Sequence, residues 1–348
     1  MQGSKPLPLG RGASSESPVA YARGSEAPHR PTGHWLHAYR TAMACRFEVT
    51  LPAGASADLA AARQALDQID RLEDQLTVYR DSSEVSLINR TAGRRPVAVK
   101  SNLFGLLELA QKIHDETEGA FDITAGPVIR CWGFLKRQGR VPSTEELETA
   151  RSQVGMRHVI LDGANQSVEF RRAAVEINLG SIGKGHALDR VAAGMRARAV
   201  RSALLSGGSS SLCAIGNGSG GGWHVGVRHP RARRSRLATI RLQDCALATS
   251  GSGEQYFLSE GKRYGHIIDP RSGMPAEGVA GVTVVAASAA VADALATAFF
   301  VGGRQLAERY CRDHPGVLVL MLEEGDLNPV IIGEISGCTI ELDSRARA

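Results

Sequence analysis

The chain has 348 residues, 43% of them hydrophobic and 22% charged, which excludes a wholly disordered or fibrous protein and allows a large core. The formal net charge is +5 and the pI about 9.0, a modest basic bias that suits a small anionic substrate. The arginines behind it (Arg228, Arg231, Arg233, Arg234, Arg236 and Arg241, with Arg94 and Arg95) lack the interleaved aromatics or recognition helix of a nucleic-acid surface. Six cysteines without a Cys-x-x-Cys pair argue against a zinc site or a small disulfide framework and favour a reducing compartment.

In chain order, residues 1–37 are rich in Gly, Pro, Ser, Ala and Arg and are expected to form a disordered tail. They hold no signal-peptide core and no lipobox, so a cytoplasmic location is expected, with the true start left open. Phe47–Leu51 reads as a strand and Ser56–Leu76 as an amphipathic helix, with apolar residues three and four apart. A second helix is expected over Leu103–Thr117. Ser143 with Glu146 forms a capping-box pattern that opens a third. Short strands follow at Val159–Leu161, Ser167–Phe170 and Val175–Leu179, then a glycine loop and a helix from about His186 to Arg198. Further strands are expected at Ala203–Leu205, Trp223–Val227, Ala238–Leu242 and Cys245–Thr249, and a closing group at Val317–Leu322, Pro329–Ile332 and Thr339–Leu342. Helices and strands mix without a βαβ rhythm, so the expected class is α+β with a mostly antiparallel sheet, as one composite domain over residues 38–348.

Val279–Val301 carries one charge, Asp293, and is long enough to cross a membrane. Its first part is β-branched and its second Ala-rich. It therefore reads as a buried strand, Gly281–Ala287, and a buried helix, Ala289–Val301, and no integral membrane segment is expected.

Three stretches carry chemistry. Gly180-Ser-Ile-Gly-Lys-Gly185 is not a P-loop, because Asn178 replaces the first glycine and Gly185 the hydroxyl residue after Lys184. A strand, a glycine turn and a helix remain, which can offer backbone groups to a phosphate or a metal. Gly216–Gly221 matches Gly-x-Gly-x-x-Gly, but a strand follows it, so it reads as a loop. Asp293 and Thr297 lie one turn apart on a helix and can give two hard oxygens to Mg²⁺. In the alternative, Thr297 bonds back to its own helix and Asp293 caps. A carboxylate buried in so apolar a segment must be paired or bind a cation. His266-Ile-Ile-Asp-Pro-Arg-Ser-Gly-Met-Pro275 sets His266, Asp269 and Arg271 on a rigid turn that can hold charge against a ligand, with His266 as a candidate general base.

Together these pieces resemble the ApbE family of FAD:protein FMN transferases, in order over roughly residues 38–342. Six stretches carry the resemblance: Met43-Ala-Cys-Arg-Phe-Glu-Val49, Tyr79-Arg-Asp-Ser-Ser-Glu-Val-Ser-Leu-Ile-Asn89, Ala120-Phe-Asp-Ile-Thr-Ala-Gly-Pro127 with Trp132-Gly-Phe134, the glycine loop, the His266 turn, and Ala292-Asp-Ala-Leu-Ala-Thr-Ala298. The resemblance implies a single ApbE-like domain that passes FMN from FAD to a Thr or Ser hydroxyl of an acceptor flavoprotein, with Mg²⁺, releasing AMP. It implies that Met43, Tyr79, Ala120, Phe121, Asp122, Asn178, Lys184 and Ile268 line the FAD. It also implies that the Ser181 carbonyl, Asp293 and Thr297 hold the metal. Asn178 stands where the family usually has Asp, and Leu205-Ser-Gly-Gly-Ser209 lacks the acid of the family's Asn-x-Gly-Gly-Asp loop. Two alternatives stand beside this one: an FAD pyrophosphatase acting at the same site, or a non-catalytic FAD-binding protein whose lost acids abolished turnover.

Overall fold

The structure, a computed structural model, describes residues 20–21 and 35–343, apart from 53, 137, 219, 233 and 254. The elements run β1 (Ala20–Tyr21), β2 (Trp35–Ala42), β3 (Cys45–Pro52), α1 (Leu59–Leu76), α2 (Glu84–Thr91), β4 (Val97–Ala98), α3 (Ser101–Glu116), α4 (Gly126–Cys131) and α5 (Thr144–Ser152). They continue with β5 (Val159–Asp162), β6 (Ser167–Phe170), α6 (Gly183–Ala197), β7 (Ala203–Gly207), β8 (Ser211–Ile215), β9 (Trp223–Arg228), β10 (Arg236–Leu242) and β11 (Ala246–Gly251). The last are β12 (Tyr256–Ser259), β13 (Lys262–Gly265), β14 (Val279–Ala286), α7 (Ala289–Asp313), β15 (Leu318–Glu323), β16 (Val330–Gly333) and β17 (Cys338–Leu342).

An eight-stranded antiparallel sheet, ordered β16-β15-β14-β11-β8-β7-β3-β2, is the spine of this α+β fold. Strand side chains alternate between faces, and here both faces are covered. On one side Leu205, Cys213, Ala248, Val284, Val319 and Met321 pack with the helices. On the other Leu204, Leu212, Leu247, Val285, Leu318 and Leu320 pack on Trp223, Val225 and Ile240 of a second sheet, β1-β9-β10-β17. A central antiparallel strand buried twice reads as an unbroken apolar run, which is why β14 and the start of α7 mimic a membrane span. No helix among the described residues is long and apolar enough to cross a membrane. Regular helical geometry in α7 breaks at Gly303 (φ 69°), shortly after the expected end at Val301.

Several expectations need correction. The expected tail, residues 1–37, lies mostly outside the described residues, but β2 begins at Trp35, inside it. There Trp35 sits across from Pro52 and its ring centroid is 5.2 Å from that of Trp223. Ala20–Tyr21 of the same stretch pairs in parallel with β9. Val175–Leu179 is not a strand: the Asn89 side-chain amide takes both the N–H (2.7 Å) and the carbonyl (2.9 Å) of Ile177, so the segment's backbone is satisfied without a ladder. The α6 helix starts at Gly183, not His186, so half of the glycine loop is its first turn. The α2 helix, with Ser83 as its N-cap, α4 and β8 were not foreseen. Ser143 and Glu146 do form the full capping box of α5, and β9 follows the Gly216–Gly221 loop, whose residue Ser219 lies outside the described residues. All six cysteines are free; burial pushes the Cys213 thiol up to about 12. Of the arginine cluster, Arg233 lies outside the described residues, while Arg228, Arg236 and Arg241 sit on β9 and β10.

Candidate active site

The glycine loop and the Asp293 segment meet where the N-termini of α6 and α7 cross. A Cβ on Gly185 would overlap the Ala289 carbonyl, so only glycine lets the two helix starts touch. No side chain on α6's own N-cap, Ile182, caps that helix. Asp293, one turn into α7 and 7% exposed, does so instead, accepting the Gly185 N–H at 3.0 Å. Its carboxylate also accepts the Ser211 hydroxyl at 3.0 Å and lies 3.3 and 3.4 Å from Lys184 Nζ. The charge is thus offset by an ammonium, a hydroxyl and the positive end of a helix. Asp189 of α6 reaches the other way, accepting Ser288 Oγ (2.7 Å), Ala289 N–H (2.7 Å) and Ala290 N–H (2.9 Å) at the start of α7. Thr297 donates its hydroxyl to the Asp293 carbonyl at 3.4 Å, a long back-bond to its own helix that leaves the oxygen's lone pairs as donors to a cation.

The segment after α3 forms the next wall. Ala120 and Phe121 are buried, and Phe121 N–H donates to Thr117 Oγ1 at 3.3 Å. Asp122 Oδ1 accepts the Thr124 N–H (2.7 Å) and hydroxyl (2.6 Å), while Oδ2 lies 3.4 Å from His114 Nδ1. The wall is tied to the glycine loop by the Asn178 N–H on the Ile123 carbonyl at 2.7 Å. Asn178 Oδ1 in turn accepts the Gly180 N–H at 2.9 Å, so this residue performs the turn-forming role open to Asn or Asp alike. At its far end the wall reaches the His266 turn, where Trp132 Nε1–H donates to the Gly273 carbonyl at 2.8 Å. A cavity of about 590 Å³ opens beside it, with His114, Asp122, Arg151, Arg157, Pro270 and Arg271 in its lining.

In the turn itself, Ile268 is buried against the cluster of Val128, Trp132 and Val154, and forms a bridge with Pro275. Gly273 takes φ 74°, as a tight reversal demands. Asp269 and Arg271 do not face a ligand as free charges. Two guanidinium bonds of 2.9 Å join them, and this pairing raises the Arg271 pKa. At the start of the turn, His266 Nδ1 lies 3.1 Å from the Gln255 carbonyl. That bond needs the proton on Nδ1, which makes Nε2 the basic nitrogen of the neutral ring.

Met43 and Tyr79 lie on two neighbouring segments joined through Glu73. Met43 and Ala44, at φ 49° and 56°, form the two-residue loop between β2 and β3, since Ala42 pairs with Cys45. Glu73 accepts the Met43 N–H at 2.7 Å and lies 3.5 Å from Arg80, linking this loop to the Tyr79 segment. Tyr79 is 75% exposed. The Leu205–Ser209 stretch ends β7 and turns into β8, with Gly208 and Ser209 both at positive φ.

Sequence reasoning missed Glu73, Asp189 and Ser211. Asp189 and Ser211 act across 82 to 101 residues, a separation with no local signal. Among the described residues no group of three or more His, Cys, Asp or Glu side chains could hold a metal. The set that the resemblance implies, Asp293, Thr297 and the Ser181 carbonyl, offers only oxygens and one charge, a composition that could hold a hard cation shared with phosphate oxygens. In the structure the Asp293 carboxylate is paired with Lys184 Nζ at 3.3 Å, so a metal at this carboxylate would share it with, or displace, the ammonium.

The ApbE family model matches residues 43–321. The FAD:protein FMN transferase of Treponema pallidum is 32% identical over 294 residues, covering 80% of this chain and 81% of that protein. The FAD:protein FMN transferase of Vibrio cholerae is 33% identical over 269 residues, covering 74% and 80%. The crystal structure of the ApbE protein of Thermotoga maritima aligns with a TM-score of 0.76 at 30% identity, covering 89% of this chain and 97% of that one. With the motifs in order, the fold matched and the family model spanning most of its length, this chain belongs to the ApbE family.

Proposed function

We propose that this enzyme is an FAD:protein FMN transferase that moves FMN from FAD onto a Thr or Ser hydroxyl of an acceptor protein. The acceptor oxygen forms a bond to the phosphorus that bears riboflavin. The bond from that phosphorus to the bridging oxygen breaks, AMP leaves with the bridging oxygen, and the hydroxyl proton passes to a base. The observation that carries the reading is the buried Asp293 carboxylate at the crossing of α6 and α7, with Lys184 and the first turn of α6 beside it. Phosphoryl transfer is chiefly positioning plus neutralisation of charge.

Lys184 and the N–H groups of the glycine loop would hold the phosphates, while Met43, Tyr79, Ala120, Phe121, Asp122 and Ile268 would line the FAD. Asn178 would shape the loop. Asp293, Thr297 and the Ser181 carbonyl would hold Mg²⁺, which when bound supplies neutralisation of the phosphate charge. His266 would take the acceptor proton at Nε2, the tautomer favoured by its Nδ1 bond to Gln255.

The test is incubation of the purified protein with FAD, MgCl₂ and a lysate of the source organism. The expected result is a flavin-fluorescent protein band after denaturing electrophoresis and an equal amount of AMP by chromatography. AMP and free FMN without a labelled band would instead mark an FAD pyrophosphatase, and tight FAD binding without AMP a non-catalytic binder.

A further inference from the structure

We infer that Asp189 is a positioning residue for Asp293, acting through a reciprocal cap that locks α6 and α7 to each other; this rests on the proposed metal role of Asp293. Each helix carries a carboxylate inside its own first two turns, and each carboxylate satisfies the other helix's free N–H groups. Asp293 of α7 accepts the Gly185 N–H of α6 at 3.0 Å. Asp189 of α6 accepts the Ala289 and Ala290 N–H groups of α7 at 2.7 and 2.9 Å.

Ordinary capping does not account for Asp189. The α7 helix has its own N-cap, Ser288, whose Oγ accepts the Val291 N–H at 3.3 Å. Asp189 takes the two N–H groups that this cap leaves, and also the proton of the capping hydroxyl at 2.7 Å. A local side chain would hold the end of α7 together equally well. A carboxylate from the other helix does one thing more: it fixes α7 relative to α6. Gly185 shows how tight that register is, since any side chain there would strike Ala289 and Ala290. Asp293 lies one turn beyond Ala289, Lys184 lies in the first turn of α6 and Ser181 just before its N-cap, so the same register sets the distance between the carboxylate and the glycine loop. Two anchors, one in each direction, resist both sliding and rotation of the crossing.

The experiment compares the parent with Asp189→Asn, Asp189→Glu and Asp189→Ala, and with Ser143→Ala, which removes the capping box of α5. Three quantities are read: hydrogen exchange at the Gly185 amide, Mn²⁺ affinity of the FAD-loaded protein by electron paramagnetic resonance, and kcat against KM for FAD. If Asp189 sets the register, Gly185 exchange speeds up in Asp189→Ala and Asp189→Glu. Mn²⁺ affinity and kcat then fall by roughly 10- to 100-fold, as for residues that orient metal ligands, with KM for FAD much less affected. Asp189→Asn, which keeps one acceptor oxygen, should recover part of each loss. Ser143→Ala should lower the melting temperature and change none of the three. The inference is overturned if Asp189→Ala behaves like Ser143→Ala, losing stability while Gly185 exchange and Mn²⁺ affinity stay as in the parent. If Asp189→Ala does not fold, Asp189→Glu decides: parent-like exchange and affinity there overturn the inference equally. A parent that binds no Mn²⁺ and releases no AMP removes the functional reading instead, while the Gly185 exchange comparison still decides whether Asp189 fixes the crossing.

Discussion

At the crossing of α6 and α7, Asp293 is held by three groups from two other elements, whereas the segment from Tyr256 to Met274 turns much of its surface to solvent. Leu258 is 68% exposed and Met274 41%, yet Phe257 and Tyr264 of the same segment stack at 5.2 Å and lie against Trp132. The first region is enclosed by its partners, and the second is packed on its inner side only. That contrast matches what the proposed reaction asks of each. Developing charge on a phosphate is best met by dipoles and charges that need no rearrangement. A hydroxyl delivered by another protein needs an open face, with a base anchored from below, as His266 is by the Gln255 carbonyl.

The sharpest way to break this contrast is Asp293→Ala. It removes the only carboxylate of the proposed metal set and leaves Lys184, Ser211 and the Gly185 N–H without their acceptor. AMP release should be abolished and the melting temperature lowered, and full turnover with Mg²⁺ present would refute the assignment. His266→Ala tests the open side. Transfer should drop by roughly 10²–10⁴ with FAD affinity nearly unchanged. If the ring merely orders the turn, FAD binding and melting temperature fall together instead, so both are measured on the same variant.

A third expectation concerns the acid stability of the enclosed region. His186 of α6 is buried, and desolvation, with Arg190 a smaller cause, holds its pKa at about 4 against an ordinary 6.5. As pH falls through 6.5 the unfolded chain takes the proton first. The stability present above pH 6.5 is therefore lost progressively down to about pH 4, by as much as about 3 kcal/mol from this group. Denaturant titrations at pH 7.5 and pH 5 should show the loss, and His186→Phe should reduce it; an unchanged pH dependence would place the acid sensitivity elsewhere. The smallest effect is expected in the β2–β3 loop. Ala44 sits at φ 56°, a left-handed conformation that costs a residue with a Cβ, so Ala44→Gly should raise stability by about 1 kcal/mol, visible as a higher melting temperature.

How much of this could be read beforehand differs element by element. The amphipathic spacing of α1 and the capping box of α5 are local patterns, and both elements form where those patterns lie. The burial of Asp293 was legible because its neighbours are alanines and leucine. Val175–Leu179 has the residues of a strand and no ladder, because Asn89, far away in the chain, takes the backbone groups of Ile177. The glycine run reads as an open loop until α7 is laid on it, when its second half becomes helix.

By itself the sequence determined the period of each element, the turns that Pro270 and Gly273 impose, and the need of a carboxylate at position 293 for a partner, since these depend on neighbours along the chain. The tertiary structure alone decided which partner. Lys184 and Ser211 meet Asp293 across 109 and 82 residues, and Asp189 reaches α7 across about a hundred. Hydrogen bonds of that kind exist only once the sheet has brought β8, α6 and α7 together, and no pattern along the chain encodes a distance between groups so far apart in it.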